Sequence, residues 1–160
     1  MSTHLTDPIN NKVKLLSVFA ENKPGILAKA TEALAEAHVN ILWFKIVDGA
    51  GDKYGVIRFL VDNNQEGMAA LKKSGFAVST MPVLAVIADD NPGSLFRLTA
   101  ALYEGNVDVR NGSGYYLNQG VVLIIETQEQ EAATAILNKL GYKILTSAEV
   151  KALSNKCCCN

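Results

Sequence analysis

The dipeptide Pro-Gly occurs twice in this chain, as Pro24-Gly25 and Pro92-Gly93, and each time in the same setting. Residues 16–27 read Leu-Ser-Val-Phe-Ala-Glu-Asn-Lys-Pro-Gly-Ile-Leu, and residues 83–95 read Val-Leu-Ala-Val-Ile-Ala-Asp-Asp-Asn-Pro-Gly-Ser-Leu. Both begin with an apolar, strand-like run, pass through a turn, and open a pattern of helical spacing. A chain of 160 residues is long enough for one ordinary domain or two small ones. The repeat selects two.

The rest of each copy follows in parallel. Strands are expected over residues 13–20 and 83–88. The helices after them carry Leu27, Ala30, Leu34 and Ala37 in the first copy and Leu95, Leu98 and Leu102 in the second, at matching offsets. Second strands are expected over 39–47 and 107–116, and third strands over 55–61 and 121–126. Asp48-Gly49-Ala50-Gly51-Asp52 and Asn118-Gln119-Gly120 supply the hairpin turns between them. Second helices are expected over about 66–74 and 129–140, the latter with Ala133, Ile136, Leu137 and Leu140 on one face, and each ends at a glycine, Gly75 or Gly141. Closing strands over 76–80 and 142–145 complete the order β-α-β-β-α-β twice. The fold class is therefore α+β, with two ferredoxin-like units over 13–81 and 82–147, Pro82 at their junction, and flexible ends at 1–12 and 148–160.

Composition removes several function classes. With 49% hydrophobic and 19% charged residues each half has enough apolar material for a core. Basic and acidic residues number 15 and 16, for a net charge of −1 without blocks of either sign, so the cationic surface needed for nucleic acid is missing. The first ten residues lack the apolar core of a signal peptide and no apolar run nears the ~20 residues that span a bilayer, which excludes a membrane partner and predicts a cytoplasmic protein. The only cysteines, Cys157, Cys158 and Cys159, are adjacent and far from His4 and His38, so neither a disulfide framework nor a metal site is expected, and no cofactor motif is present. Tyr115-Tyr116 lacks the basic surroundings of a base-stacking platform and is assigned to hairpin packing.

The duplicated turn has chemistry of its own. The first N–H groups of a helix lack intrahelical partners and the helix dipole favours negative charge there, so each turn suits a carboxylate. Gly25 and Gly93 let a ligand approach the backbone. Asn22 and Asp90 stand where a helix cap or its neighbour belongs, with Pro24 and Pro92 in the first turn, and they could instead accept from an ammonium group. Carboxylate and ammonium together describe a free amino acid; capping alone is the simpler alternative. Some strands are apolar on both faces, as in Val39, Ile41 and Trp43 against Leu42, Phe44 and Ile46, or throughout 121–125. Either the chain covers these faces itself or a homodimer does.

Asn22-Lys23-Pro24-Gly25-Ile26-Leu27, with Leu34, Ala35, Glu36, Ala37 and then Val39-Asn40-Ile41, resembles the ACT domain, the small-molecule regulatory module of amino-acid metabolism. Asp90-Asn91-Pro92-Gly93-Ser94-Leu95, Leu102 and Val107-Asp108-Val109 repeat the resemblance, which covers residues 13–146. It implies tandem ACT domains with antiparallel sheets joined side by side, helices on one face, and amino acids bound at interfaces between ACT units. Carried over by position, the ligand-binding candidates are Asn22, Lys23, Pro24, Gly25, Ile26, Leu27, Asn40 and Ile41 in the first copy, and Asp90, Asn91, Pro92, Gly93, Ser94, Leu95, Asp108 and Val109 in the second. Lys23 against Asn91 and Asn40 against Asp108 make the two sites chemically unequal.

No nucleophile, base and orienting group converge in any recognisable motif, so catalytic residues are not expected. The leading expectation is a non-catalytic sensor of small amino acids, with any regulated enzyme on another chain. The alternatives are an interaction subunit of an amino-acid biosynthetic enzyme with no ligand of its own, and a small hydrolase on the same topology.

Overall fold

A computed structural model of the chain describes residues 12–49, 53–117 and 120–155. The elements run β1 (Lys14–Glu21), α1 (Ile26–Glu36), β2 (Ile41–Asp48), β3 (Tyr54–Val61), α2 (Asn64–Lys73), β4 (Ala77–Pro82), β5 (Leu84–Ala88), α3 (Ser94–Glu104), β6 (Asn111–Leu117), β7 (Gly120–Glu126), α4 (Gln130–Lys139), β8 (Lys143–Ile144) and α5 (Ser147–Asn155). They form two four-stranded sheets with the same topology, β2-β3-β1-β4 and β6-β7-β5-β8. Each unit is thus the βαββαβ arrangement expected from the repeat. The chain divides into two compact bodies, one built on Lys14–Met81 and the other on Pro82–Glu149.

Register follows hydrophobic patterning. In the first unit Leu16 faces Phe59, Val18 faces Ile57 and Ala20 faces Gly55 across the β1/β3 pair. Leu16, Val18, Ile57 and Phe59 share their face with Ala30, Ala33 and Leu34 of α1 and Leu71 of α2, forming one buried core. The second unit repeats this with Leu84, Val86 and Ile125 against Leu98, Leu102, Ala133 and Leu137. The opposite faces of the central strands are buried as well: Leu15, Leu60, Ala85, Val122 and Ile124 are all 2% exposed or less. The apolar face of the edge strand β2 is not: Phe44 and Ile46 are about half exposed.

Every βαββαβ helix ends in the same way. His38 and Asn106 (φ 54° and 57°) close α1 and α3, and Gly75 and Gly141 close α2 and α4, all in the left-handed region. In each case the next residue's N–H returns to a carbonyl five positions back, as in Val39 to Leu34, Phe76 to Leu71, Val107 to Leu102 and Tyr142 to Leu137. This satisfies carbonyls that the helix end would leave orphaned.

Three expectations need correction. The chain after 147, taken as a flexible end, begins with α5. Its start is a reciprocal capping box: the Thr146 N–H donates to Glu149 Oε2 at 2.9 Å and the Glu149 N–H donates to Thr146 Oγ1 at 3.2 Å. Helix α2 starts at Asn64, earlier than expected, because the Asn63 side chain accepts from the Glu66 N–H at 3.2 Å and caps it. The second unit's second strand begins only at Asn111, since Val107 is first held at the end of α3, buried and with its N–H on the Leu102 carbonyl, and contact with β7 opens with the Arg110 N–H on the Glu126 carbonyl. The hairpin residues Ala50, Gly51, Asp52, Asn118 and Gln119, together with His4 and Cys157–Cys159, lie outside the described residues.

Candidate functional site

The end of β1 and the start of α1 are joined by a tight turn. Lys23-Pro24-Gly25-Ile26 is a type II β-turn: the Ile26 N–H donates to the Lys23 carbonyl at 3.3 Å, and Gly25 has φ 87° and ψ −10°. Proline presets the second position of such a turn, and the third needs a positive φ that glycine alone adopts without strain. Asn91-Pro92-Gly93-Ser94 repeats it, with the Ser94 N–H on the Asn91 carbonyl at 3.0 Å and Gly93 at φ 85° and ψ −3°. This corrects the expected capping. Gly25 and Gly93 are themselves the N-caps, neither helix has a side-chain cap, and Pro24 and Pro92 precede the helix instead of lying in its first turn. Asn22 and Asp90 are three residues ahead of the cap. The Asn22 N–H is committed to the Lys53 carbonyl at 2.8 Å, extending the β1/β3 pairing.

In the first unit, Asn22, Lys23, Pro24, Gly25, Ile26 and Leu27 all line one cavity of about 260 Å³, joined by Ala20, Glu21, Ile46, Gly55 and Ile57. The turn forms its rim, and β2 and β3 supply the floor. The first intrahelical donor of α1 is the Lys29 N–H on the Gly25 carbonyl, so the N–H groups of Leu27 and Ala28 precede the helical ladder and suit an anion. Lys23 and Glu21 form an exposed ion pair at the rim, and the Glu21 carboxylate raises the pKa of the Lys23 ammonium above its ordinary value by hydrogen bonding and charge. Both signs of charge therefore flank an otherwise apolar hollow. That is the pattern a zwitterion with an apolar side chain would match.

The candidates beyond the turn, which the resemblance assigns to a wall supplied by a neighbouring ACT unit, lie elsewhere within their own units. Asn40 precedes β2 by one residue and Ile41 begins it; both line a different hollow of about 500 Å³ with Ala28, Thr31, Glu32, Ala35 and Val39. Asn40 also has a structural task, since its N–H donates to Asp62 Oδ1 at 3.0 Å and its carbonyl accepts from the Asp62 N–H at 3.1 Å. In the second unit Ser94 is 4% exposed and lines a cavity of about 570 Å³ with Asp89, Arg97, Glu104, Leu140 and Tyr142 among others, whereas Asp90, Asn91, Pro92, Gly93 and Leu95 do not line it and are exposed. Asp108 and Val109, expected on a strand, lie in the segment before β6; Val109 packs on the second core and Asp108 pairs with Arg110 at 3.9 Å.

Sequence reasoning missed Ala20, Glu21, Ile46, Gly55 and Ile57. Ala20 and Glu21 adjoin the motif and were within reach of it. The other three become neighbours of the turn only through sheet register, although an isolated glycine in a strand is a recognised mark of close approach. Among the described residues no group of three or more His, Cys, Asp or Glu is arranged to hold a metal ion, and no helix is long and apolar enough to cross a membrane.

The sequence matches the family model of the ACT domain pair over residues 11–153. The chain belongs to that family. Among solved structures, this ACT pair is similar to a protein of Bacteroides thetaiotaomicron, with 26% identity, a TM-score of 0.82, and coverage of 89% of this chain and 98% of that one. The regulatory subunits of aspartate kinase from Thermus thermophilus, in ligand-free form, and Thermus flavus share the fold at 18% and 16% identity, with TM-scores of 0.58 and 0.56. Each of these comparisons covers 81% of this chain and 92% of the other. No curated protein matches the ACT pair's sequence.

Proposed function

We propose that this ACT pair is a non-catalytic, cytoplasmic regulatory protein that binds a small amino acid at the turn of its first ACT domain and passes occupancy on as a change in assembly. The observation that carries the reading is the convergence of Asn22 through Leu27 on one hollow whose floor is Ile46, Gly55 and Ile57. At about 260 Å³ it falls just below the ~300–1,000 Å³ of pockets for drug-sized molecules, a scale suited to one small metabolite. The α-carboxylate meets the first N–H groups of α1 and the Lys23 ammonium, and the α-ammonium meets Glu21 and the Asn22 side chain.

Regulation requires that the ligand favour one arrangement over another, by about 1–3 kcal/mol for a useful effect. A homodimer supplies two such arrangements. Phe44 and Ile46 on the edge strand β2 are 52% and 50% exposed, and a second copy that covers them would close the open side of the hollow. Calorimetric titration of the folded protein with the twenty amino acids tests the reading, together with light scattering with and without the ligand. No heat from any amino acid refutes it.

A second reading, a subunit that serves a biosynthetic enzyme in trans without a ligand, draws support from the regulatory-subunit neighbours of the same fold. A stable enzyme partner whose capture is indifferent to amino acids and to substitution of Gly25 would favour it.

A further inference from the structure

The backbone dihedrals of Gly55 do not call for glycine. It sits inside β3 without the positive φ that marks Gly25, and a glycine within a strand costs roughly 0.5–1 kcal/mol relative to alanine. A Cβ built there meets only the Val47 carbonyl oxygen, at 3.2 Å, within 4 Å. Its neighbour across β1 is Ala20, and both line the hollow beneath the turn. The sheet floor is therefore bare at this point, flanked by Ile46 and Ile57, which face each other across β2 and β3.

The second unit has the same register with the sizes exchanged. Ala88, the counterpart of Ala20, faces Val121 where Ala20 faces Gly55. Leu123 replaces Ile57 opposite Val86, and its partner on β6 is Gly114, where the first unit has Ile46. A Cβ on Gly114 would stand 3.2 Å from both Val121 Cγ1 and Leu123 Cδ2, so those two side chains already occupy the space above the sheet. Where the first unit leaves a hole, the second fills it from within.

Resting on the amino-acid-binding reading, we infer that Gly55 is the specificity-determining residue of the first unit's seat, which accepts an amino acid with a short apolar side chain, and that Val121 closes the second, so each chain binds one ligand. The ligand side chain lies over Gly55 between Ile46 and Ile57. Among the described lining residues, the side chains around Gly55 are Ala20, Ile46 and Ile57, which offer no polar partner, and burying a polar or charged group unpaired is unfavourable.

The test is a set of calorimetric titrations with alanine, valine, leucine, serine, aspartate, lysine and tryptophan. Heat from one or more of the three apolar aliphatic amino acids, strongest in the panel and saturating at one per chain, supports the inference. Gly55→Val should weaken that binding by about 100-fold or more, near the top of the range for hydrocarbon added to a tight apolar pocket. Gly55→Ala, the milder change, should weaken leucine more than alanine, with an unchanged far-UV spectrum showing that the fold persists. Val121→Ala, at the equivalent place in the other unit, should leave affinity within twofold. Tightest binding of a polar, charged or aromatic member, two ligands per chain, or a folded Gly55→Val protein with undiminished affinity would overturn this inference while leaving amino-acid binding intact. Silence from all twenty amino acids would instead remove the underlying reading.

Discussion

Substituting alanine for Gly25 and, separately, for Gly93 separates the structural role of the repeated turn from its role in binding. The two glycines have nearly the same backbone, φ 87° and 85°. Placing an L-residue in the left-handed region costs about 1–2 kcal/mol, and losing glycine's freedom in the unfolded chain restores about 0.4–1. No collision adds to this, because a Cβ on Gly25 meets nothing within 4 Å and one on Gly93 meets only Arg97 Nη1, at 3.5 Å. Both variants should therefore lose about 1 kcal/mol, or about 4–8 °C in Tm if each unit melts separately, and the two losses should agree to within about 0.5 kcal/mol. Binding should part them. Gly25 lines the hollow and an added methyl there should cost at least about tenfold in amino-acid affinity, whereas Gly93→Ala should bind within twofold of the parent. Denaturant melts and calorimetric titrations of the pair provide the measurements. Stability losses differing by more than about 1 kcal/mol would refute the matched-turn argument, and equal damage to binding would refute the assignment of the seat to the first unit.

Two further outcomes are expected. Gly67 lies on the buried face of α2, where a Cβ would come within 2.9 Å of Leu16 Cδ1 and 3.2 Å of Leu34 Cδ2; Gly67→Ala should destabilise by about 1–2 kcal/mol in denaturant melts, crowding outweighing the gain in helix propensity. The Glu149 pKa is held below the ordinary carboxylate value, first by the Thr146 N–H and then by Lys143 at 3.0 Å. A lowered folded-state pKa means that the contribution is present above the unfolded-state value and lost as pH falls through the folded one, so amides of α5 should lose hydrogen-exchange protection on acidification ahead of those in β1 and β5. Glu149→Gln should flatten that dependence.

How much of this was legible beforehand depends on the range of the signal. The duplicated turns, the stripes of α1 and α3, and the glycine ends of α2 and α4 were readable because each is a pattern within about a dozen residues. Helix α5 was missed because its marker is the Thr146-x-x-Glu149 box and not an apolar stripe. The delayed start of β6 reflects the tie of Val107 to the end of α3, which strand propensity at Val107 and Val109 does not encode. For the candidate site the turn was evident and its floor was not. Ile46, Gly55 and Ile57 meet it only once β2, β3 and β1 are aligned, and alignment is a property of the whole sheet.

The bare place over Gly55 also changes what an occupant would be to the protein. An apolar side chain seated there would rest on Ile57, itself 5% exposed and part of the first core, and so would act as a detachable piece of that core. Folding and binding then become one equilibrium in the first unit: at 100 times the dissociation constant the occupant would add about 2.7 kcal/mol of stability to it and none directly to the second. The two halves of a duplicated chain would thus melt together or apart according to the supply of one metabolite, and the gap between their transitions would measure its concentration.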